Sequence, residues 1–200
     1  MKHLYPITAV ALVLAACAPE AAAVAAPPVG SPAPNFRLAD ANGTPVTLDQ
    51  FKGKTVVLEW NNPGCPYVKK HYESGNMQRT QAAARKDGVV WLSINSGAPG
   101  KQGAGLDRNR KAVEEFKLSY PVLLDESGEV GQSYSAKTTP HMYVIDKEGL
   151  LRYAGAIDDG DPSQKGKLNY VRQALDEILA GKPVTTATSK PFGCSVKYAR

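Results

Sequence analysis

Thr55-Val56-Val57-Leu58-Glu59-Trp60-Asn61-Asn62-Pro63-Gly64-Cys65-Pro66-Tyr67-Val68-Lys69-Lys70 is the stretch on which the reading of this chain turns. Its β-branched, apolar first half closes at Pro-Gly, the pattern of a buried strand stopping in a turn. Pro66 then suits the first position of a helix, where a missing N–H costs nothing. Cys65 is thereby placed where a helix opens, with unpaired backbone N–H groups and the positive end of the helix dipole near its sulfur. Such a setting favours thiolate over thiol. A purely structural cysteine has no need of it.

Working outward, the chain alternates strand and helix signals. Asn35-Phe36-Arg37-Leu38 and Pro45-Val46-Thr47-Leu48 flank Asn42-Gly43, a hairpin signal. Tyr67, Val68 and Tyr72 share one helical face, and Gly75-Asn76 bends or interrupts that helix before Met77–Lys86 resumes it, with Gly88 ending it. Val89–Ile94 reads as the next buried strand. Ser96–Gly105 is a Gly-rich loop; Ala112, Val113 and Phe116 mark a helix, and Val122–Leu124 a short strand. Met142–Ile145 and Leu150–Ala154 bracket the turn Asp146-Lys147-Glu148-Gly149. Val171, Ala174, Leu175, Ile178 and Leu179 form a helical stripe stopped by Gly181 and Pro183. This order implies an α/β domain, a mixed sheet with helices on both faces.

The chain of 200 residues holds three cysteines. The first, Cys17, closes an N-terminal segment with a basic start at Lys2 and an apolar run from Ile7 to Leu14. That run is too short to span a bilayer and has the form of a signal peptide. Leu14-Ala15-Ala16-Cys17 resembles the bacterial lipobox, in which the cysteine is lipidated; cleavage after Ala23 or Ala26 is the competing reading. The organisation that follows is 1–16 signal peptide of lipoprotein type, 17–34 an Ala/Pro-rich tether, 35–181 the folded domain, and 182–200 a C-terminal tail. The expectation is an exported protein, in the bacterial periplasm or held at a membrane only through a lipid on Cys17. Cys65 and Cys194 then remain, and under oxidising conditions they form a disulfide or a redox couple. The net charge of +5 is interspersed, which marks a solvated surface and no nucleic-acid patch.

Gly30-Ser31-Pro32-Ala33-Pro34-Asn35-Phe36, Asn62-Pro63-Gly64-Cys65-Pro66-Tyr67-Val68, Trp91-Leu92-Ser93-Ile94-Asn95 and Thr138-Thr139-Pro140 carry a resemblance. Residues from about Val29 to Gly181 look like a thioredoxin-superfamily domain, and within it are similar to the peroxiredoxin-like proteins of the alkyl hydroperoxide reductase/thiol-specific antioxidant group. The resemblance implies a thioredoxin-like fold, with a central mixed β-sheet, helices on both faces and an N-terminal β-hairpin. It implies that Pro140 is a cis-proline facing Cys65, and that the backbone at Thr139 and Pro140 docks whatever approaches the sulfur. It also implies thiol-dependent oxidoreductase activity with no cofactor, on a peroxide or a disulfide, with a thiol electron donor that the sequence does not identify.

The departures are informative. Val68 stands where thioredoxins carry their second cysteine, so the partner sulfur must come from elsewhere. Asn62 and Leu58 replace the Thr or Ser and the Pro with which typical peroxiredoxins hold peroxide; Asn62 offers an amide donor in exchange. Arg79, Arg108 and Arg110 are the candidates for an activating arginine. Attack of Cys65 on peroxide gives a sulfenic acid, and attack on a disulfide gives a mixed disulfide. Either is resolved by a second thiol, for which Cys194, in Pro191-Phe192-Gly193-Cys194-Ser195, is the candidate within the chain. The alternative is a permanent Cys65–Cys194 staple closing a loop for about 5 kcal/mol.

Lys69 and Lys70 stand to favour the Cys65 thiolate or to be a solvated helix face. His71 reads as a partly packed surface histidine. His141, next to Pro140, is expected to approach Cys65 as a modulator, with strand packing as the default. Trp60 and Trp91 read as core aromatics. Ser96–Gln102 fails the phosphate-loop pattern at Asn95 and Gln102, and Asp158-Asp159-Gly160-Asp161-Pro162 lacks the spacing of a calcium loop. An alternative of another class is a soft-metal protein binding copper or zinc through Cys65, His141 and Cys194, with His71 as an optional further ligand; the preferred reading assigns no metal.

Overall fold

A computed structural model of the chain describes residues 25–161 and 166–199; the expected signal peptide and Cys17 lie outside the described residues. The elements in chain order are β1 (Arg37–Asp40), β2 (Pro45–Thr47), a 3-10 turn (Leu48–Phe51), β3 (Val56–Trp60), α1 (Pro66–Glu73), α2 (Asn76–Lys86), β4 (Val90–Asn95) and α3 (Leu106–Glu115). There follow β5 (Val122–Leu124), α4 (Glu129–Ser133), β6 (Thr138–Thr139), β7 (His141–Ile145), β8 (Leu151–Gly155), α5 (Tyr170–Leu179) and β9 (Cys194–Ser195). Among the described residues, no helix is long and apolar enough to cross a membrane.

The main sheet has seven strands in the order β2-β1-β5-β4-β3-β7-β8. β3 runs parallel to β4, and β4 to β5, whereas β7 lies antiparallel to both β3 and β8. The sheet is therefore mixed, as strand–helix–strand followed by a hairpin requires. Asp146 caps the β7–β8 turn, its Oδ1 accepting from the N–H groups of Glu148 (3.0 Å) and Leu150 (2.9 Å).

β3 is buried along its whole length because side chains of alternating direction meet two separate cores. Val57 joins Cys65, Val68, Tyr72, Trp91, Met142, Val144 and Leu175 beneath the longer helices. Val56, Leu58 and Trp60 join Ile94, Tyr134, Tyr143 and Val196 on the opposite face. Helices cover both faces unequally. The second face is closed by α4, the Leu48–Phe51 turn and the returning tail, through Val130, Phe51 and Tyr198.

Between β3 and the helices lies a polar knot. The Glu59 carboxylate is fully buried and accepts from Trp91 Nε1 (3.0 Å), Tyr72 Oη (2.9 Å), Asn61 Nδ2 (2.9 Å) and Gln81 Nε2 (3.2 Å). Burial pushes its pKa up despite these donors. Trp91 is thus a core aromatic that also donates to a carboxylate, and Trp60 donates to Ser96 Oγ at 3.0 Å.

The break between α1 and α2 falls at Gly75, whose φ of +70° is left-handed and suits a residue without Cβ. α5 starts at Asn169, whose side chain accepts from the Arg172 N–H at 2.9 Å, and buries Val171, Ala174 and Leu175; Leu179, expected on the same stripe, is exposed.

Candidate active site

Cys65 is the N-cap of α1 and Pro66 its first residue, as the strand–Pro-Gly–Cys-Pro pattern predicts. The preceding loop is closed by its own backbone, the Cys65 N–H donating to Asn62 O at 2.9 Å. Asn62, expected among the docking groups, has both ends of its amide engaged. Oδ1 accepts from the Gly64 N–H (2.8 Å) and Nδ2 donates to Gln102 O (3.1 Å), tying the Cys65 loop to the Gly-rich loop.

The Cys65 side chain is fully buried, and its Sγ donates to the Thr139 carbonyl at 3.1 Å. The Thr139–Pro140 peptide is cis. The C-terminal tail lies over this point: β9 pairs antiparallel with β6, Thr139 opposite Cys194 and Thr138 opposite Ser195. Cys194 is partly buried, and both cysteines are free thiols. Neighbouring tail residues anchor the strand on either side. Before it, the Ser189 N–H donates to Ala154 O at 3.2 Å, on the outer edge of β8. After it, the Val196 N–H donates to Lys137 O (3.1 Å), the Ala98 N–H to Lys197 O (2.8 Å), and Tyr198 Oη to Ala136 O (2.8 Å).

The electrostatics distinguish the two sulfurs. Burial opposes ionisation of Cys65, but hydrogen bonds from Cys194, from the Val68 backbone N–H and from Thr139 outweigh it, and the thiol lies below its ordinary range. In the thiol state the Thr139 hydroxyl is buried without a partner; a thiolate supplies one. Cys194 moves the other way, pushed up to about 11 by burial, by its hydrogen bond to Cys65 and by the charge that Cys65 carries. Of the two, Cys65 is therefore the sulfur that ionises more readily.

The remaining expected residues lie apart from the sulfur. His141 shares β7 with Met142 and Val144, which line the Cys65 core, so strand alternation turns it to the other face. There its Nδ1 lies 3.0 Å from Tyr143 Oη, and burial, aided by the Lys137 charge, lowers its pKa to about 4. The expectation that His141 approaches Cys65 is corrected by this geometry. The copper or zinc trio does not assemble either, and the described residues hold no cluster of three or more His, Cys, Asp or Glu suited to a metal ion. Lys69 is exposed beside Glu73, Gln78 and Glu115 and has no part in the shift of Cys65. Of the three arginines, Arg108 reaches the loop, donating to Pro63 O at 3.0 Å while pairing with Glu115; Arg79 donates to Ser74 O and Arg110 to Ala41 O.

Sequence reasoning missed Gly193. A Cβ there would overlap the Thr139 carbonyl oxygen and stand 2.7 Å from its carbon, so glycine is required where the tail crosses β6. It missed Phe192 as well, whose ring meets Tyr67 edge-on with centroids 5.0 Å apart. The signal was available in the glycine between an aromatic and a cysteine, on a tail otherwise rich in small residues.

Comparisons with known proteins agree with this geometry. The AhpC/TSA family matches residues 29–154. Thiol-disulfide oxidoreductase ResA of Geobacillus thermodenitrificans is 31% identical over 124 residues, 62% of this chain and 67% of that protein. Chloroplastic peroxiredoxin Q of Oryza sativa subsp. japonica is 29% identical over 135 residues, 62% of this chain and 57% of the rice protein. Among solved structures, an uncharacterized conserved protein from Geobacillus kaustophilus superimposes with a TM-score of 0.80 at 30% identity, covering 86% of this chain and 93% of that one. By its fold, its cysteine at a helix start and these matches, the chain belongs to the AhpC/TSA family, as a thiol-dependent oxidoreductase of the thioredoxin superfamily.

Proposed function

We propose that this protein is an exported thiol–disulfide exchange enzyme in which Cys65 is the nucleophile and Cys194 the resolving thiol. The observation that carries the reading is the seating of Cys194 directly opposite Thr139, hydrogen-bonded to the sulfur that ionises. The Cys65 thiolate attacks one sulfur of a substrate disulfide; that S–S bond breaks, and the released sulfur leaves as a thiolate and takes a proton from water. Cys65 is now in a mixed disulfide and uncharged, so the charge and hydrogen bond that hold the Cys194 proton are gone. Cys194 loses that proton to water and attacks Cys65 Sγ, expelling the second substrate thiolate. The substrate disulfide has gained two electrons and two protons, and the Cys65–Cys194 pair has lost them. An external dithiol resets the pair.

Export, with Cys17 as the lipid-bearing residue, is part of this proposal and rests on the N-terminal sequence. The test is reaction of the reduced protein with dithionitrobenzoate. Wild type releases two thionitrobenzoate equivalents and ends as an internal Cys65–Cys194 disulfide by mass spectrometry. Cys194→Ser releases one and stalls as a Cys65 adduct. An adduct that forms first on Cys194 would remove the assignment.

Peroxide is the second substrate class, favoured by the peroxiredoxin Q match. Attack on the O–O bond would leave a Cys65 sulfenic acid, and condensation with Cys194 would give the same disulfide and water. Against it stands the engagement of Asn62, whose amide oxygen accepts from the Gly64 N–H and whose Nδ2 donates to Gln102 O. Stopped-flow oxidation by hydrogen peroxide separates the two. We expect a rate near that of a free thiol, and a rate orders of magnitude faster would favour peroxide.

A further inference from the structure

The tail shows how an extended chain sits on this site, and the groove it fills continues past it. With Cys194 hydrogen-bonded to Cys65, the chain bends at Gly193 and the Phe192 ring meets Tyr67, two residues beyond Cys65. Pro140, Ala156, Ile157 and His71 line the same cavity. Phe192 nonetheless remains 42% exposed, so the cavity receives an aromatic ring without enclosing it. Between them, position 193 passes so near the Thr139 carbonyl that no Cβ fits. Backbone pairing with β6 supplies attachment for any extended segment; the cavity and the tight crossing supply selection.

We infer that the Tyr67–Pro140 groove is a side-chain subsite for polypeptide partners, selecting a disulfide-bonded cysteine preceded by glycine and, two positions before it, by an aromatic residue. The inference rests on disulfide exchange at Cys65 and names the substrate class: an extended polypeptide that takes the path of β9 while the tail is lifted. The return of the tail then expels the partner as Cys194 resolves the mixed disulfide, because one edge of β6 cannot hold both strands.

The test uses the full-length Cys194→Ser protein and a nonapeptide with the sequence of Lys190–Tyr198, its cysteine carried as a mixed disulfide with thionitrobenzoate. Attack by Cys65 on the peptide sulfur releases thionitrobenzoate, read by absorbance. Two further peptides replace the phenylalanine by alanine or the glycine by valine, and dithionitrobenzoate serves as the small disulfide. The parent peptide should react about tenfold faster than either counterpart, and Tyr67→Ala should bring the Phe/Ala ratio close to one. Equal rates for the three peptides, with the small disulfide still reacting, would overturn the subsite and leave disulfide exchange standing. Failure of every disulfide, small or peptide, would overturn the exchange reading itself. If oxidised wild type forms dimers joined from Cys65 of one copy to Cys194 of another, the groove belongs to a second copy and the partner class proposed here is wrong.

Discussion

Gly193→Ala should lift the tail from the nucleophile without unfolding the domain. The added methyl would overlap the Thr139 carbonyl oxygen and sit 2.7 Å from the carbonyl carbon and 3.3 Å from Pro140 N. These are backbone atoms joined to β7, a strand buried along its whole length, so the tail is the side that yields. It gives up a pairing of two residues with β6, about 1–2 kcal/mol for two net hydrogen bonds. The Phe192–Tyr67 contact adds about 0.5–1.5 kcal/mol. A loss of about 1.5–3.5 kcal/mol raises the population with an uncovered sulfur about 12- to 300-fold. The assay is alkylation of Cys65 by iodoacetamide in a Cys194→Ser background, taken at the high-pH plateau so that ionisation does not enter. Thermal unfolding within a few degrees of the parent confirms that the core is intact. A plateau rate no faster than that of the Gly193 protein would show that the tail does not gate the sulfur, and the argument from burial would fail.

Three further outcomes follow from the same geometry. The pH profile of Cys65 alkylation should titrate below an ordinary thiol, and Cys194→Ala, which removes a hydrogen bond to the thiolate, should move the midpoint upward; an unmoved midpoint would separate the two sulfurs. Glu59 binds its proton more tightly folded than unfolded, so stability falls as pH rises from about 4.5 through its raised pKa and levels off above it. Denaturant unfolding of Glu59→Gln across that range should lose this slope, and a retained slope would place its origin elsewhere. Tyr198→Phe removes the hydroxyl that donates to Ala136 O and should cost about 1 kcal/mol in urea unfolding, with Cys65 alkylation quickened if the tail's far anchor holds β9 in place.

The place of Cys65 at a helix start, that helix and the mixed character of the sheet were legible because each rests on local signals: a β-branched run, a Pro-Gly stop, a proline suited to the first turn, and Gly75 where a left-handed residue is needed. The long-range pairings were not. β6 and β9 are two residues each, too short to carry a period, and the chain between them runs through the β7–β8 hairpin and α5. Cys194 was picked out by counting cysteines, while the geometry that seats it depends on the absent Cβ of Gly193. His141 was misplaced because adjacency to Pro140 was weighed and strand alternation was not; one residue along a strand reverses the direction of a side chain. α4 escaped notice because its five residues include Gly131, a poor helix former whose place is set by Tyr198 packing close against it.

The anchoring of the tail on both sides of β9 has a bearing on how the enzyme behaves when scarce. Fastened at Ser189 on one side and from Val196 to Tyr198 on the other, the segment is held at both ends and does not swing free. The second sulfur is then presented to the first at a local concentration of millimolar order or above, set by a tether of a few residues. Ring closure of the pair should proceed at the same speed in dilute and crowded solution, so a lone molecule can complete its oxidation without meeting another copy of itself.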